Sequence, residues 1–199
     1  MAKRSFDLFA AVIALAVLSP LLVVLIGVIR VVDGAPVFFS QERVGKGGRL
    51  FRLYKFRTMT LLGAGEQELG VTVAGNSRVT GLGQRLRRWK IDELPQLWNI
   101  LVGEMSVVGP RPEVPKFVEI YPEEFRRVLA VKPGLTDPAS IRFRNESDLL
   151  AKAVDSESYY RGFILPKKIE LSVRYAESRS FVGDLRIILQ TVWVVLCGG

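Results

Sequence analysis

The residues with the clearest chemical potential lie between Arg85 and Asn99, in the stretch RLRRWKIDELPQLWN. Two adjacent acids, Asp92 and Glu93, follow a run of cations, and Pro95 suits the first turn of a helix. Acids near a helix N-terminus often only complement the helix dipole and cap free amides. A carboxylate among several cations, however, stays ionised at neutral pH and can attack phosphorus as a nucleophile. Two adjacent acids can also hold Mg²⁺, and the cations would offset the charge of a transferring phosphoryl group.

A second candidate site residue, Arg111, lies in the stretch GEMSVVGPRP, which ends at Pro112. Pro110 and Pro112 bracket this arginine and restrict its backbone. A guanidinium held in a fixed position suits bidentate contact with a phosphate group. The plainer explanation is an arginine in a surface turn, since proline also favours turns. The sequence alone leaves both explanations open.

The composition excludes several other chemistries. The chain has no histidine, which excludes catalysis through a histidine base. A single cysteine, Cys197, excludes an intramolecular disulfide and an all-cysteine zinc site, and fits a reducing compartment. The glycine-rich stretch VGKGG does not fit a Walker A loop, because Gly47 follows Lys46 where that motif needs Ser or Thr. It is predicted to be a hairpin turn.

The charge of the chain indicates an anionic partner. The 199 residues include 28 Lys and Arg against 20 Asp and Glu, a net charge of +8. Residues 43–90 hold eleven Lys or Arg and only two acids, so the excess is concentrated there. Such a segment favours nucleic acid, lipid headgroups or a phosphorylated substrate. The mean hydropathy of +0.24 is high for a soluble basic protein and favours a membrane.

An apolar segment near the N-terminus is the strongest membrane signal. Residues 8–29 contain no charged side chain, and a helix of this length could cover the ~30 Å hydrocarbon layer of a bilayer. Ser19 and Pro20 lie at its centre, and proline kinks or breaks a helix. Basic residues such as Lys3 and Arg30 flank both ends, which favours the cytoplasmic side for both. The pattern predicts a re-entrant helix broken at Ser19-Pro20; a spanning helix and a buried core helix are the alternatives.

The rest of the chain is predicted to form a small domain. Residues 37–39 and 49–58 indicate two strands of a short β-hairpin, joined by a turn at 43–48. Residues 61–77 are predicted to be a loop with at most one helical turn. Helices are predicted at residues 82–90, 94–101, 116–120, 123–131, 149–153 and 166–177.

The C-terminal segment, residues 184–196, is apolar but too short to span a bilayer. Trp193 and Arg186 suit a helix that lies at a membrane interface, and a core helix explains the pattern equally well. The predicted class is α+β and mostly helical, with interfacial amphipathic helices and a short β-hairpin. The predicted units are a re-entrant membrane helix (1–32), a cytoplasmic domain (33–183) and a C-terminal apolar helix (184–199).

Taken together, the motifs resemble the bacterial sugar transferase family, the monotopic polyprenyl-phosphate phosphoglycosyl transferases. The resemblance covers most of residues 3–136. It rests on the pieces KRSFDLFAAVIALAVLSPLLV, PVFFSQERVGKGGRLFRLYKFRTM, RVTGLGQRLRRWKIDELPQLWNILVGEMSVVGPRP and VKPGLT. The DELPQLWN and VGPRP blocks, in this order and spacing, are highly specific. Because the chain starts at the apolar segment, it is similar to the small, minimal form of the family.

The resemblance implies a two-step reaction catalysed by the cytoplasmic domain. Asp92 would attack the β-phosphate of a UDP-sugar, releasing UMP and leaving a phosphosugar on the enzyme. Polyprenol phosphate (undecaprenyl phosphate) would then take this group and give a polyprenyl-diphospho-sugar. Such a reaction is the first membrane step in the assembly of a polysaccharide or glycoprotein glycan. It takes place at the cytoplasmic face of the bacterial inner membrane.

The resemblance also implies roles for individual residues. Glu93 matches the second acid of the family dyad and, with Asp92, is linked to Mg²⁺ binding. Ser19 and Pro20 match the motif that breaks the re-entrant helix. Phosphate contacts are implied for four basic residues: Arg87, Arg111, and Lys55 and Arg57 of the KFRTM motif.

Two other functions remain as alternatives to the transferase, which itself implies no nucleic-acid partner. A membrane-anchored module that binds nucleic acid or anionic lipid explains the basic segment but not the DELPQ and GPRP blocks. A scaffold with a decayed site is disfavoured by the intact acid pair. A homodimer stays open, without a heptad or other interface signature. The resemblance leaves the sugar unassigned, because Asp137 stands where members often have Gly and TLLGAG replaces the acids often found after KFRTM.

Overall fold

The structure, a computed structural model, describes residues 2–61 and 73–197. The described chain is mostly helical with short strands, which confirms the predicted α+β class. The helices are α1 (Ala2–Val32), α2 (Gly81–Arg88), α3 (Gln96–Val102), α4 (Pro115–Val118), α5 (Pro122–Val128), α6 (Pro138–Arg142), α7 (Glu146–Ala151), α8 (Ser156–Tyr159), α9 (Leu165–Ser178) and α10 (Phe181–Cys197). The strands are β1 (Phe38–Val44), β2 (Leu50–Phe56), β3 (Ser106–Val108) and β4 (Gly134–Thr136). Most of the loop predicted at 61–77 lies outside the described residues.

The predicted helices are confirmed, with ends that differ by a few residues. Pro122 begins α5, where a proline loses no helical hydrogen bond. Pro166 is the second residue of α9, which continues directly from a π-helical turn at Tyr160–Ile164. Two short helices, α6 and α8, were not predicted. Each begins at an aspartate cap: the carboxylate of Asp137 accepts from the amide of Ser140, and that of Asp155 from amides in α8.

The predicted β-hairpin is confirmed. Strands β1 and β2 pair antiparallel, so that Val44 lies opposite Leu50 and Phe38 opposite Phe56. The VGKGG stretch forms the turn, where Gly47 adopts a left-handed backbone (φ 69°) that suits glycine. Phe51 and Leu53, on one face of β2, are buried, and Phe56 at the end of the strand is buried as well, so the hairpin packs against the core.

A second pair of strands joins two family motifs that are separate in the sequence. Strand β3 precedes the PRP motif, and β4 lies in the KPGLT stretch; the two pair parallel. The backbones approach so closely at Gly134 that a Cβ atom there would lie 2.0 Å from the amide nitrogen of Gly109. Only glycine fits such a contact. The pair was not predicted from the sequence, because three-residue strands carry too little pattern.

The long helix α1 packs along the domain through one side. Its buried and half-buried positions recur at helical spacing, at residues 4, 7, 11, 15, 18, 22, 25 and 29, with a second row at 3, 6, 10 and 14 in the N-terminal half. Ala11 packs in a cluster with side chains of β2 and α3, and Ile29 packs with Phe56 and Leu86. The opposite face is apolar and exposed; Phe9 and Val17 are about 70% exposed. The helix is long and apolar enough to cross a membrane.

The chain stays helical through Ser19 and Pro20, where the sequence predicted a break. The predicted interruption is therefore wrong for this structure, and the serine supplies a physical reason. Pro20 has no amide hydrogen to donate to the carbonyl of Ala16, four residues earlier. The hydroxyl of Ser19 donates to that same carbonyl at 2.9 Å, so the acceptor keeps a partner.

Charged residues attach the N-terminal end of α1 to the domain. The buried carboxylate of Asp7 accepts from the hydroxyl of Ser106 and the amide of Val107, each at 3.0 Å. Arg4 donates to the last carbonyls of α3, at 2.6 and 2.9 Å. Lys3 pairs with the buried Asp184 of α10 at 2.5 Å.

The C-terminal end of α1 is attached to the same domain. The hydroxyl of Thr80, which caps α2, donates to the carboxylate of Asp33 at 2.9 Å. The guanidinium of Arg57 donates to the carbonyls of Asp33, Gly34 and Ala35 at 2.5–2.9 Å. Both ends of the apolar helix are thus held by one domain.

The C-terminal helix α10 exposes most of its apolar side chains. Leu189 and Trp193 are each 69% exposed, and the one buried residue of the helix is Asp184. The helix touches α6, β3 and β4, and the ring of Phe181 contacts that of Phe6 in α1 edge-on at 5.4 Å. Of the two explanations left open by the sequence, a core helix does not fit this exposure.

Candidate active site

A tight turn between α2 and α3 positions the acid pair. Helix α2 ends at Arg88, and the chain reverses through Lys90, whose backbone is left-handed (φ 57°, ψ 19°). A single 3₁₀ turn, Ile91–Glu93, then leads through Pro95 into α3. Asp92 and Glu93 therefore lie at the start of the α3 region, and both are buried.

Two cations from separate motifs bind Glu93. Arg111 donates to its two carboxylate oxygens, at 2.5 and 3.1 Å, in a bidentate pair. Lys55 of β2 donates to Oε1 at 3.2 Å. Burial would raise the pKa of Glu93, but the charges of Arg111 and Lys55 outweigh it and hold the pKa well below its usual value. Glu93 is thus a fixed anion that joins the KFRTM, DELPQ and PRP motifs.

Asp92 differs sharply from its neighbour. No ion pair or hydrogen bond to its carboxylate forms within residues 2–61 and 73–197, and Oδ1 is buried without a partner. Burial raises the pKa of Asp92, the charge of Lys55 opposes the rise, and that of Glu93 adds to it. A buried oxygen without a partner is costly, which makes it a candidate for reaction rather than for structure. In the pair, the Glu93 carboxylate is held by two cations, whereas the Asp92 carboxylate has a free oxygen.

The cations around the pair are themselves partly desolvated. Burial lowers the pKa of Lys55, while Glu93 raises it. The charge of Glu93 raises the pKa of Arg111 above its usual value, so this guanidinium remains protonated. Arg87 lies on α2 and donates from Nε to the hydroxyl of Thr58 at 2.7 Å. Its two Nη groups make no hydrogen bond with the described part of the chain, which leaves them available to an anion.

The structure brings together most of the predicted site residues but places one elsewhere. Lys55, Arg111 and Arg87 all act electrostatically on the acid pair. Arg57 does not face it: this buried side chain binds the carbonyls that follow α1. The phosphate contact expected for Arg57 is therefore replaced by an attachment role; Arg57 follows the end of β2 at Phe56, so strand alternation no longer places it on the same face as Lys55. Ser19 lies in the middle of α1.

A buried charged network behind Arg111 was missed by sequence reasoning. Glu113, two residues after Arg111, pairs with Lys168 at 3.2 Å and accepts from the Tyr160 hydroxyl at 2.7 Å. Arg43 of β1 donates to the carbonyl of Pro112 at 3.1 Å. Burial would raise the pKa of Glu113, but Lys168 and Arg43 hold it below its usual value. The residues of this network lie far apart in the sequence, from Arg43 to Lys168, so no spacing pattern predicted it. Only the two prolines around Arg111 indicated that this part of the chain is held in a fixed position.

Comparison with known proteins decides the family. The profile of the bacterial sugar transferase family matches residues 1–198, nearly the whole chain. The chain belongs to the bacterial sugar transferase family. The resemblance inferred from the DELPQLWN and VGPRP blocks is confirmed.

Several named proteins are similar in sequence to this sugar transferase. An uncharacterised sugar transferase, EpsL of Bacillus subtilis, is 41% identical over 194 residues, which cover 98% of this chain and 87% of EpsL. The UDP-N-acetylgalactosamine-undecaprenyl-phosphate N-acetylgalactosaminephosphotransferase of Aeromonas hydrophila is 36% identical, over 98% of this chain and 44% of that protein. The UDP-glucose:undecaprenyl-phosphate glucose-1-phosphate transferase of Klebsiella pneumoniae is 35% identical, over 96% of this chain and 39% of that protein. The chain spans less than half the length of the last two.

The acid pair of this sugar transferase fits in part the Mg²⁺ that the resemblance implies. The described residues hold no cluster of three or more potential metal-ligating acids, cysteines or histidines. Mg²⁺ needs no such cage, since it is often bound by one or two carboxylates together with substrate phosphates. The unpartnered Oδ1 of Asp92 fits this role. Glu93 fits it less well, because both of its oxygens already bind cations.

Part of the basic segment 43–90 of this sugar transferase is bound within the domain. Lys55 and Arg111 bind Glu93, and Arg57 and Arg43 bind backbone carbonyls. A nucleic-acid module needs such side chains free to contact phosphates. Lys55, Arg57 and Arg43 are engaged within the domain, whereas six other basic residues of the segment are exposed: Lys46, Arg49, Arg52, Arg85, Arg88 and Lys90.

Proposed function

We propose that the protein moves a phosphosugar from a UDP-sugar to polyprenol phosphate, with Asp92 as the nucleophile. The Asp92 carboxylate forms a bond to the β-phosphorus, the bond between that phosphorus and the bridging oxygen breaks, and UMP leaves. The phosphate oxygen of the polyprenol phosphate then attacks the same phosphorus. The Asp92–phosphorus bond breaks, giving polyprenyl-diphospho-sugar and the free carboxylate.

The contrast between the two carboxylates carries this proposal. Asp92 is buried and unpartnered, whereas Glu93 is held by Arg111 and Lys55. A nucleophile must offer a free lone pair, and the oxygens of Glu93 are already occupied by donors. The nearby cations supply charge that opposes the negative charge on a phosphoryl group in flight. The undecaprenyl-phosphate transferases among the relatives support the substrate class.

The other residues of the site position the reacting groups and neutralise the negative charge of the phosphates. Arg87 offers its Nη groups to the diphosphate of the donor, while Thr58 holds its Nε. Arg111 and Lys55 keep Glu93 in place and add positive charge beside Asp92. Mg²⁺, held by Asp92 and the substrate phosphates beside Glu93, would add Lewis-acid stabilisation of the same charge.

We also infer that α1 is re-entrant and lies on the cytoplasmic face of the bacterial inner membrane. Both ends of α1 bind one domain, through Asp7 at one end and Asp33 at the other. Although α1 has no break, a helix that crossed the bilayer would place its two ends on opposite sides, where one domain could not bind both. The exposed apolar face of α1 then enters the lipid, which brings the site to the level where a polyprenol phosphate headgroup lies.

The test is release of UMP by the whole protein in lipid nanodiscs with Mg²⁺ and undecaprenyl phosphate. A panel of UDP-sugars is compared for the wild type, Asp92→Asn and the control Asp148→Asn, which changes an exposed acid on α7. We expect release with one donor, a loss of at least about 10³-fold in Asp92→Asn, and no change in the control. Without acceptor, the intact mass should increase by one phosphosugar in the wild type and in Asp148→Asn, but not in Asp92→Asn. Full activity of Asp92→Asn would refute the assignment of the nucleophile.

A further inference from the structure

One residue beside the acid pair has an unfavourable backbone for its side chain. Lys90 has φ 57°, and no other non-glycine residue within the described ranges has a positive φ. It follows the C-terminal cap of α2, and its amide donates to the carbonyl of Arg87 at 3.2 Å. This is the position at which helices usually carry glycine, because a Cβ atom is strained there. The chain instead carries a long cationic side chain.

The surroundings indicate why a lysine occupies this position. Lys90 is exposed, and it lies two residues before Asp92 at the rim of the site. It forms no ion pair within the described chain, whereas the deeper cations Lys55 and Arg111 bind Glu93. Its charge acts on both acids, lowering the pKa of Asp92 and of Glu93. Backbone strain that no contact repays is a feature of functional positions.

We propose that Lys90 binds a substrate phosphate group at the rim of the site, and that the left-handed backbone holds its ammonium there. The inference deepens the proposed function and rests on it for the identity of the substrates. Phosphate is present both in a nucleoside diphosphate donor and in a polyprenol phosphate acceptor. The ammonium is a compact charge with three donors, which suits an approaching phosphate of either kind.

Three variants separate charge from backbone. Lys90→Arg keeps the charge and the strain, Lys90→Gln keeps the strain alone, and Lys90→Gly removes both. The probe is UDP, titrated calorimetrically into the full-length protein in nanodiscs. We expect Lys90→Gln and Lys90→Gly to bind UDP about tenfold more weakly, and Lys90→Arg to stay within about threefold of the wild type. Lys46→Gln, at the far turn of the hairpin, is the matched control and should bind normally.

Thermal unfolding supplies a second measurement. Lys90→Gly should have a midpoint a few degrees above that of Lys90→Gln, because glycine adopts the left-handed backbone without strain. In turnover by Lys90→Gln, loss of a contact to the donor should raise the KM for the UDP-sugar, and loss of a contact to the acceptor should raise the KM for undecaprenyl phosphate. A change in either KM supports the proposal and identifies which phosphate is bound.

Unchanged UDP binding and unchanged KM values in Lys90→Gln would overturn the inference. So would a loss confined to Lys90→Gly, since that outcome assigns the effect to the backbone. Absence of UDP binding by the wild type, together with an unchanged KM for undecaprenyl phosphate in Lys90→Gln, would also overturn it. Normal turnover with an unaffected Lys90→Gln removes this inference alone. Absence of turnover, with UDP binding that depends on Lys90, removes the proposed reaction and keeps the phosphate contact.

Discussion

At the scale of single residues, the acid pair divides its tasks through its partners. Glu93 is held by two cations and stays ionised far below neutral pH, while Asp92 is buried with a free oxygen. A buried free carboxylate lowers stability in order to remain reactive, as active-site residues often do. The positions of the two adjacent acids in the sequence do not indicate which of them is the nucleophile. Their different partners in the structure favour Asp92.

The raised pKa of Asp92 predicts the acid limb of the pH profile. Reaction needs the carboxylate, so kcat/KM should fall about tenfold per pH unit once the pH drops below that pKa. Because burial raises the pKa, the limb should lie above the range of an ordinary aspartate. Lys55→Met removes the largest opposing charge and should move the limb to higher pH. Lys46→Met, at the opposite end of the hairpin, should leave it in place; an unmoved limb in Lys55→Met would contradict the electrostatic account.

Loss of the buried Glu93–Arg111 pair should reduce stability more than loss of an exposed ion pair. Glu93→Gln leaves Arg111 and Lys55 largely buried without their anion, which should reduce the free energy of unfolding by about 3 kcal/mol. Urea unfolding in detergent measures this loss. The control is Glu123→Gln, whose pair with Arg126 is nearly fully exposed and should change little. Equal losses in the two variants would show that the buried pair has no special weight.

At the scale of elements, Ser19 and Pro20 should be energetically coupled. Ser19→Ala leaves the carbonyl of Ala16 without a donor on an apolar helix, which should cost about 1 kcal/mol. Pro20→Ala restores an amide donor to that carbonyl, so Ser19→Ala should cost little in its presence. A double-mutant cycle on thermal unfolding in nanodiscs measures the coupling. Additive effects would mean that the serine hydroxyl does not replace the missing donor.

The elements also show how far the sequence could predict the fold. The hairpin and the helices with proline in their first turn were predicted correctly, because turn glycines and first-turn prolines act locally. The β3–β4 pair and the Glu113–Lys168 network were missed, because they form between distant residues with no local pattern. Arg57 was assigned to phosphate because it shares a motif with Lys55. It binds the chain after α1 because β2 ends at Phe56, and the motif alone does not reveal where the strand ends.

At the scale of the whole molecule, helix α1 and the candidate active site are held by the same elements of the domain. Helix α1 packs against α3 and contacts β3, and α3 follows directly from the acid pair. Arg57, next to Phe56 at the end of β2, holds the chain after α1, while Lys55 on the same strand holds Glu93. Displacement of α1 from the domain would therefore disturb the site as well as membrane attachment. Under the proposed function, this coupling would hold the candidate site at the membrane surface, where the phosphate of a polyprenol phosphate lies.

The attachment of both ends of α1 predicts the accessibility of each end. In a Cys197→Ser background, single cysteines at Ala2 and Val32 should both react with a membrane-impermeant maleimide from the side that carries the catalytic domain. Asp148→Cys on α7 marks that side, and sealed vesicles of both orientations separate the two faces. Val17→Cys, on the exposed apolar face of α1, should react only after detergent is added. Labelling of Ala2→Cys and Val32→Cys from opposite sides would establish a spanning helix; it would also mean that the contacts of Asp7 and Asp33 with one domain cannot both exist in the membrane.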